Sequence, residues 1–330
     1  MQIPPRVPRR TLVCAGLVLA AGFGGSAFAQ DVFPSRPVRL VVPYTPGGSN
    51  DVLARVLAQK LPEIWGQPVV VDNKAGAAGN IGSDFVAKAP GDGYTLLITN
   101  NNTMSINPVL FTKVPFDAAR DFEQITLLGT VPVVLVVNAG VKATTVKELI
   151  ALAKNRPGAL SYASSGAGSP QHMTAELFKS MTGTHILNIP YKGAASAVTD
   201  LLGGQVDLQF GAINSLLPHI RSGRLRALGV AGARRVALLP EVPTIAEAGV
   251  PGFETDIWLG LAAPANTPRP VIEKINRDVH RILAMPDVRD KLAEQGIYVQ
   301  TSSPAEMSAL AARDRIRWEK VIRNAGLKPE

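Results

Sequence analysis

The stretch ITLLGTVPVVLVVN at residues 125–138 decides the fold of this chain. Its β-branched run is extended in character, but it is longer than the usual strand, and Pro132 in its middle has no N–H to give to a ladder. It reads as a chain crossing from one lobe to another. Phe253 to Ala262 is a second extended run and reads as the return crossing. Two crossings imply two lobes that open and close by hinge rotation around a ligand. The expected boundaries are 30–130 with 251–330 for lobe 1 and 131–250 for lobe 2.

On either side of this stretch, apolar β-branched runs alternate with helical patterns, the mark of largely parallel sheets covered by helices. Upstream, Val38 to Val42 reads as a strand, and Leu53, Val56, Leu57 and Leu61 as the buried face of a helix. Pro68 to Asp72 and Tyr94 to Thr99 are further strands, separated by the glycine-rich connection Gly76 to Gly82. Downstream, Thr145 and Glu148 form a capping box ahead of Leu149, Ile150 and Leu152. Strands recur at Leu160 to Ala163, Ile186 to Ile189, Val206 to Phe210 and Leu225 to Val230. After the return crossing the pattern is purely helical: Ile272, Ile275, Val279, Ile282 and Leu283 share one face, and Ser303, Pro304 and Glu306 open the last helix. The fold class expected is α/β, two lobes, each a mixed, mostly parallel sheet flanked by helices.

The chain has 330 residues, 46% hydrophobic and 18% charged, too long for one small core and too apolar for a disordered protein. Residues 1–29 read as an export signal: Arg6, Arg9 and Arg10 form the positive end, Thr11 to Ala21 the apolar run, and Ala27-Phe28-Ala29 the cleavage site. Arg9-Arg10 matches a twin-arginine signal only loosely, so the ordinary secretory route is expected and the twin-arginine route stays open. The only cysteine, Cys14, lies inside this segment, which leaves the exported protein without a disulfide or a thiolate nucleophile. Beyond it, basic residues exceed the 26 acidic ones by five and are scattered among them, unlike the basic stripe of a nucleic-acid binder. The longest apolar run after Ala29, Val131 to Val137, falls far below the roughly 20 residues a bilayer requires. A protein of the periplasm is expected.

Catalytic constellations are sparse. His172, His185, His219 and His280 are not spaced as metal ligands, and neither a Gly-x-Ser-x-Gly elbow nor a phosphate loop occurs. Gly166-Ala167-Gly168 is a fragment of a dinucleotide fingerprint with Gln171 where the third glycine belongs, so neither metal nor cofactor is expected. Triads assemble from distant positions, so a serine hydrolase built on Ser165 and His172 stands as an alternative.

The sequence does offer glycine-rich turns that feed helices at the carboxyl ends of strands, where open α/β sheets bind ligands. The first is Pro43-Tyr44-Thr45-Pro46-Gly47-Gly48-Ser49-Asn50-Asp51. Taken alone it could be a tight turn with Ser49 as a cap. A second, Ser164-Ser165-Gly166-Ala167-Gly168-Ser169-Pro170, has the same construction in the other lobe. Two helix N-termini facing each other hold a carboxylate with neutral N–H and hydroxyl donors, without a buried Arg or Lys. Asp51 repels an anion, so its expected role is to pin the loop donors by accepting their N–H bonds. His172 either donates to the ligand or packs. Tyr191-Lys192-Gly193 offers an aromatic wall, with Lys192 either lending a charge or standing solvated at the surface; Phe210-Gly211-Ala212 lines the same side, and Trp258 either closes over a ligand or braces the hinge.

These residues, in this order, resemble the solute-receptor family of tripartite tricarboxylate transporters, the Bug proteins. The resemblance runs from about Pro34 to the C-terminus through Pro-x-Arg-Pro-Val-Arg at 34–39, the 43–51 loop and Asn73-Lys74-x-Gly76-Ala77-x-Gly79-x-Ile81-Gly82. It continues through Asn107-Pro108, Gly166-x-Gly168-Ser169-x-x-His172, Tyr191-Lys192-Gly193, Gly204-Gln205-Val206-Asp207 and Pro243-Thr244-x-x-Glu247-x-Gly249. The resemblance implies a type II periplasmic binding protein that captures a small organic acid or acidic amino acid. It implies delivery to the membrane components of a transporter, or ligand sensing for a membrane kinase. The ligand would sit against Tyr44, Thr45, Pro46, Gly47, Gly48 and Asp51, with Ser165, Gly166 and Ser169 opposite. Ala77, His172, Tyr191, Gly211 and Trp258 complete the expected site, and the receptor is expected as a monomer.

Overall fold

A computed structural model describes residues 1–2, 33–191 and 193–327. Most of the expected export segment and Lys192 lie outside the described residues. In chain order the elements are β1 (Val38–Val42), α1 (Ser49–Trp65), β2 (Val69–Asn73), α2 (Asn80–Ala87), β3 (Thr95–Asn100), α3 (Asn107–Leu110) and β4 (Phe122–Asn138). Next come α4 (Val146–Asn155), β5 (Ser161–Ser164), α5 (Pro170–Thr182), β6 (Leu187–Pro190), α6 (Ala194–Leu202), β7 (Leu208–Ala212), α7 (Ile213–Arg221) and β8 (Leu225–Val230). The chain returns through β9 (Asp256–Pro264), α8 (Arg269–Leu283), α9 (Pro286–Glu294), β10 (Tyr298–Val299) and α10 (Pro304–Asn324).

The long strand β4 joins two sheets. From Phe122 to Pro132 it pairs with β9, and from Val133 to Asn138 it lies between β7 and β8. The handover falls between Pro132 and Val133, where the missing N–H of proline interrupts a ladder at least cost. On the first side the order is β2-β1-β3-β9-β4, with β10 also on β4; on the second, β4-β7-β5-β6, with β8 also on β4. The return is shorter than the sequence implies. Thr255 donates its N–H to the Ala231 carbonyl, and Ala231 donates to Val133. From Asp256 onward β9 pairs only with β3 and β4.

Among the described residues four of the nine strand pairings are parallel, β1 with β2 and β3 and β5 with β6 and β7, while five are antiparallel. The antiparallel share exceeds what the alternating pattern implies because every pairing of the crossing strands β4 and β9 is of that kind. The segment after the return is not purely helical either. β10 pairs with β4 at Gly129 and Thr130, and a Cβ at Gly129 would stand 2.6 Å from the Tyr298 carbonyl, so glycine is what admits this two-residue strand. At α4 the Thr145 side chain accepts from the Glu148 N–H as expected, but Glu148 reaches back past the cap to the N–H and hydroxyl of Thr144. Ser303 and Glu306 do form a reciprocal capping box, with Pro304 at the first helical position.

The apolar faces read from spacing are the buried ones: Leu53, Val56, Leu57 and Leu61 on α1, and Ile272, Ile275, Val279, Ile282 and Leu283 on α8. Each such side chain contributes roughly 2 kcal/mol by leaving water. A smaller cluster couples the two sides, since Ile106 and Leu110 meet Met173 of α5 and Trp318, Val321 and Ile322 of α10.

Candidate functional site

Between the lobes lies a cleft of about 1060 Å³. Four helices present their first turns to it: α1 through Gly48, Ser49 and Asn50; α5 through Ser169, Pro170 and Gln171; α6 through Gly193, Ala194 and Ala195; and α7 through Ala212, Asn214 and Ser215. Each of these strands ends and its helix begins within a short turn, the arrangement a βα unit imposes at the carboxyl edge of its sheet. Among the described residues no side chain caps the N-terminus of α1, α6 or α7, so first-turn N–H groups are left as donors in a positive potential.

The first loop is held from behind. Asp51 is buried beneath it and accepts the Gly47 N–H at 2.9 Å, the Asn73 side-chain amide at 2.9 Å, and Arg55 at 2.9 and 3.0 Å. Burial raises the Asp51 pKa, but the hydrogen bonds from Arg55, Gly47 and Asn73 outweigh it and hold the carboxyl below its usual range. Asn73 also donates to the Tyr44 carbonyl at 3.1 Å. The Tyr44 hydroxyl donates to Asn100 Oδ1 at 2.9 Å, and burial pushes its pKa up to about 12 against the opposing effect of Asn102 and Asn100. Gly47 has φ +89°, which suits glycine.

The connection before α2 is the strained part of the wall. Ala77 and Ala78 both take left-handed φ, 45° and 54°, at a cost on the order of 1 kcal/mol each. The Ala78 carbonyl accepts from Asn102 Nδ2 at 2.7 Å and from Asn107 Nδ2 at 3.0 Å, which fixes the turn. A Cβ at Gly79 would meet Thr103 Cγ2 at 2.8 Å and the Tyr44 hydroxyl at 2.9 Å.

On the other lobe Ser169 caps α5 by accepting the His172 N–H at 3.2 Å, and Ser165 Oγ donates to Gln171 Oε1 at 2.9 Å. Gly168 donates its N–H to His172 Nδ1 at 3.1 Å, so the imidazole turns back under the loop. The loop touches lobe 1, because a Cβ at Gly168 would stand 2.7 Å from Leu110 Cδ2. Ser165 and His172 therefore have other partners, and the nucleophile–base pair of the hydrolase alternative is not formed.

Of the expected site residues, Tyr44, Thr45, Pro46, Gly47, Gly48, Ala77, Ser165 and Ser169 line the cleft. Asp51, Gly166, His172, Tyr191, Gly211 and Trp258 do not. Asp51 acts beneath the loop. Gly166, at φ +112°, is part of the turn that carries Ser165 into the wall. His172 is buried against Tyr162 and 3.8 Å from Glu176. The Tyr191 hydroxyl donates to Asp200 at 2.8 Å instead of turning inward. At Gly211 a Cβ would meet Leu216 at 2.6 Å, and it is the next residue, Ala212, that reaches the cleft. Trp258 lies in the core with its Nε1–H on Asp314 at 2.9 Å, a brace rather than a lid.

Sequence reasoning missed Asn102, the face of α6, Asn214, Ser215, His219, Arg224 and Gln295, all of which line the cleft. The turn from β7 into α7 has the same strand-to-helix construction as the loops that were found, but it has no glycine pair to announce it. Among the described residues the lining holds no aspartate or glutamate, and no group of three metal-ligating side chains forms. A described lining with neutral donors at the helix N-termini, one arginine and no carboxylate suits an anion.

Residues 53–327 match the family described as tripartite tricarboxylate transporter family receptor. BugT of Bordetella pertussis is 39% identical over 320 residues, covering 97% of this chain and 98% of that protein. An R. palustris protein solved with adipate superposes with a TM-score of 0.86 at 40% identity, over 90% of this chain and all of that one. MatC from Rhodopseudomonas palustris, solved with bound malate, gives a TM-score of 0.81 at 32% identity, over 88% of this chain and 100% of its own. The fold is that of the two-lobed type II periplasmic binding proteins, and the chain belongs to the tripartite tricarboxylate transporter receptor family of solute-binding proteins.

Proposed function

We propose that this protein captures a small carboxylate between its lobes in the periplasm and hands it to the membrane components of a tripartite tricarboxylate-type transporter. The observation that carries this reading is the convergence of helix N-termini from both lobes on one cleft whose described lining holds no acid. Such donors hold a carboxylate by N–H bonds and aligned dipoles. Adipate and malate in the related structures support the same ligand class. The receptor acts by binding and release, not by turnover, and a ligand that touches both lobes favours the closed state by its contacts in that state.

Gly48 makes the decisive test. Its backbone is extended, and a Cβ there meets nothing within 4 Å, so Gly48→Val leaves the fold intact while its methyl groups stand in the cleft. Calorimetry and native mass spectrometry against a panel of organic acids should show binding to the wild type and a loss of about tenfold or more in the variant. A wild type that binds none of the acids, or a variant that binds as well as the wild type, refutes the reading.

A further inference from the structure

The cleft does not end at the helix N-termini. It continues as a groove between α6 and α7, with Ala194, Val198 and Leu202 one turn apart on α6 and Ser215 and His219 one turn apart on α7. β6 and β7 both run parallel to β5, so the two helices leave the sheet in the same sense, N-termini towards the loops and C-termini away from them. From Ala194 to Leu202 the groove extends roughly 12 Å at 1.5 Å per residue.

At its far end lies a basic pair of the described lining, His219 and Arg224. Arg224 Nη2 stands 2.7 Å from His219 Nδ1. Burial, and then the charge of Arg224, lower the His219 pKa. A guanidinium can only donate, so His219 Nδ1 accepts and its proton resides on Nε2. Among the described residues Arg224 pairs with no carboxylate, and the lining supplies none.

The helix field makes this position distinctive. Near the loops the N-termini themselves attract an anion, but that attraction fades within one turn, and the C-terminal ends of α6 and α7 repel an anion. A negative group at the far end of the groove needs a cation there. We propose that Arg224, steadied by His219, is a second anion subsite, and that the cleft takes an elongated α,ω-dicarboxylate. One carboxylate sits on the neutral donors of the loops, the methylene chain runs along Ala194, Val198 and Leu202, and the far carboxylate meets the guanidinium fork. This rests on the reading that the cleft holds a carboxylate.

The test compares binding of hexanoate, adipate, pimelate and suberate to the wild type, Arg224→Ala and Arg224→Lys by calorimetry, with Tm recorded for each. Arg224 is exposed, so its replacement leaves the fold intact. At least one of the dicarboxylates should bind the wild type more tightly than hexanoate. Arg224→Ala should lose roughly fivefold for that dicarboxylate and nothing for hexanoate, with Arg224→Lys in between. If Arg224 only offsets the C-terminal end of α7, Tm falls and the ratio of dicarboxylate to hexanoate affinity stays fixed, which overturns the assignment while leaving the carboxylate reading intact. A wild type that binds none of these acids overturns both.

Discussion

Replacing Asp51 with asparagine perturbs the cleft from below without touching its lining. The carboxylate meets four donor contacts at once, Gly47 N–H and Arg55 Nε on one oxygen and Arg55 Nη2 and Asn73 Nδ2 on the other. An asparagine offers one acceptor oxygen, so in either orientation its amide faces two donors and two bonds are lost. Hydrogen bonds to a charged group are worth roughly 1.5–3 kcal/mol each. The Arg55 side chain is 56% exposed, so its share is heavily screened. The net loss comes to about 2–3 kcal/mol. For a protein of this size that lowers Tm by about 5 °C. The Gly47 N–H and Tyr44 carbonyl lose their fixed positions, and affinity for an organic acid should fall about tenfold. The effect depends on pH in a defined sense. The folded pKa of Asp51 lies below the unfolded value of about 3.9, so its contribution is present above that value and disappears as pH falls through the folded pKa. Wild type and Asp51→Asn should differ fully at pH 7 and converge in strong acid. A variant with wild-type Tm and affinity at pH 7 would show that the loop is held by its own turn geometry and not by Asp51.

Two further outcomes follow from the same geometry. Gly79→Ala places a Cβ within 3 Å of Thr103 and the Tyr44 hydroxyl at φ +90°, and should cost about 2–4 kcal/mol in denaturant unfolding together with most of the ligand affinity; a silent substitution would mean that the 76–79 turn is not rigid. Asp256 sits where β9 starts beside Pro132, its Oδ1 buried without a partner, and burial, then Glu254, raise its pKa to about 7 against the opposing charge of Arg317. An acid with a raised folded pKa contributes fully below its unfolded pKa and destabilises as pH rises through about 7. Asp256→Asn should therefore unfold at higher temperature than the wild type at pH 8, by about 2 kcal/mol or more, and lose that advantage at pH 4. Equal melting curves at pH 8 would place the ionised carboxylate in water.

Much of the scaffold was legible because its signals are local. The faces of α1 and α8 follow from a 3.6-residue period, β8 runs from Leu225 to Val230 as its apolar run does, and Pro132 marks the place where β4 changes partners. Ser303, Pro304 and Glu306 announce the start of α10 for the same reason, since a cap is satisfied within four residues. What was not legible depends on partners distant in sequence. β10 exists because Gly129 lets the Tyr298 backbone approach, and a two-residue strand has no periodicity of its own. The bend at Ala77 and Ala78 is imposed by Asn102 and Asn107, about 25 residues away or more, against the preference of alanine.

The candidate site divides in the same way. Glycine-rich turns at strand ends identify the loops that carry Gly47, Gly48, Ser165 and Ser169, because backbone freedom and unpaired N–H groups are properties of the turn itself. Whether a neighbouring side chain enters the cleft or turns away is settled by which bond it finds elsewhere: His172 finds the Gly168 N–H, Tyr191 finds Asp200, and Trp258 finds Asp314. The sequence alone determined the alternation of strands and helices, the two crossings and the donor-rich turns, since each is written in residues a few positions apart. Only the tertiary structure decided that α6 and α7 lie side by side and bring Arg224 and His219 to the cleft, because that depends on strands β6 and β7 meeting in one sheet through β5.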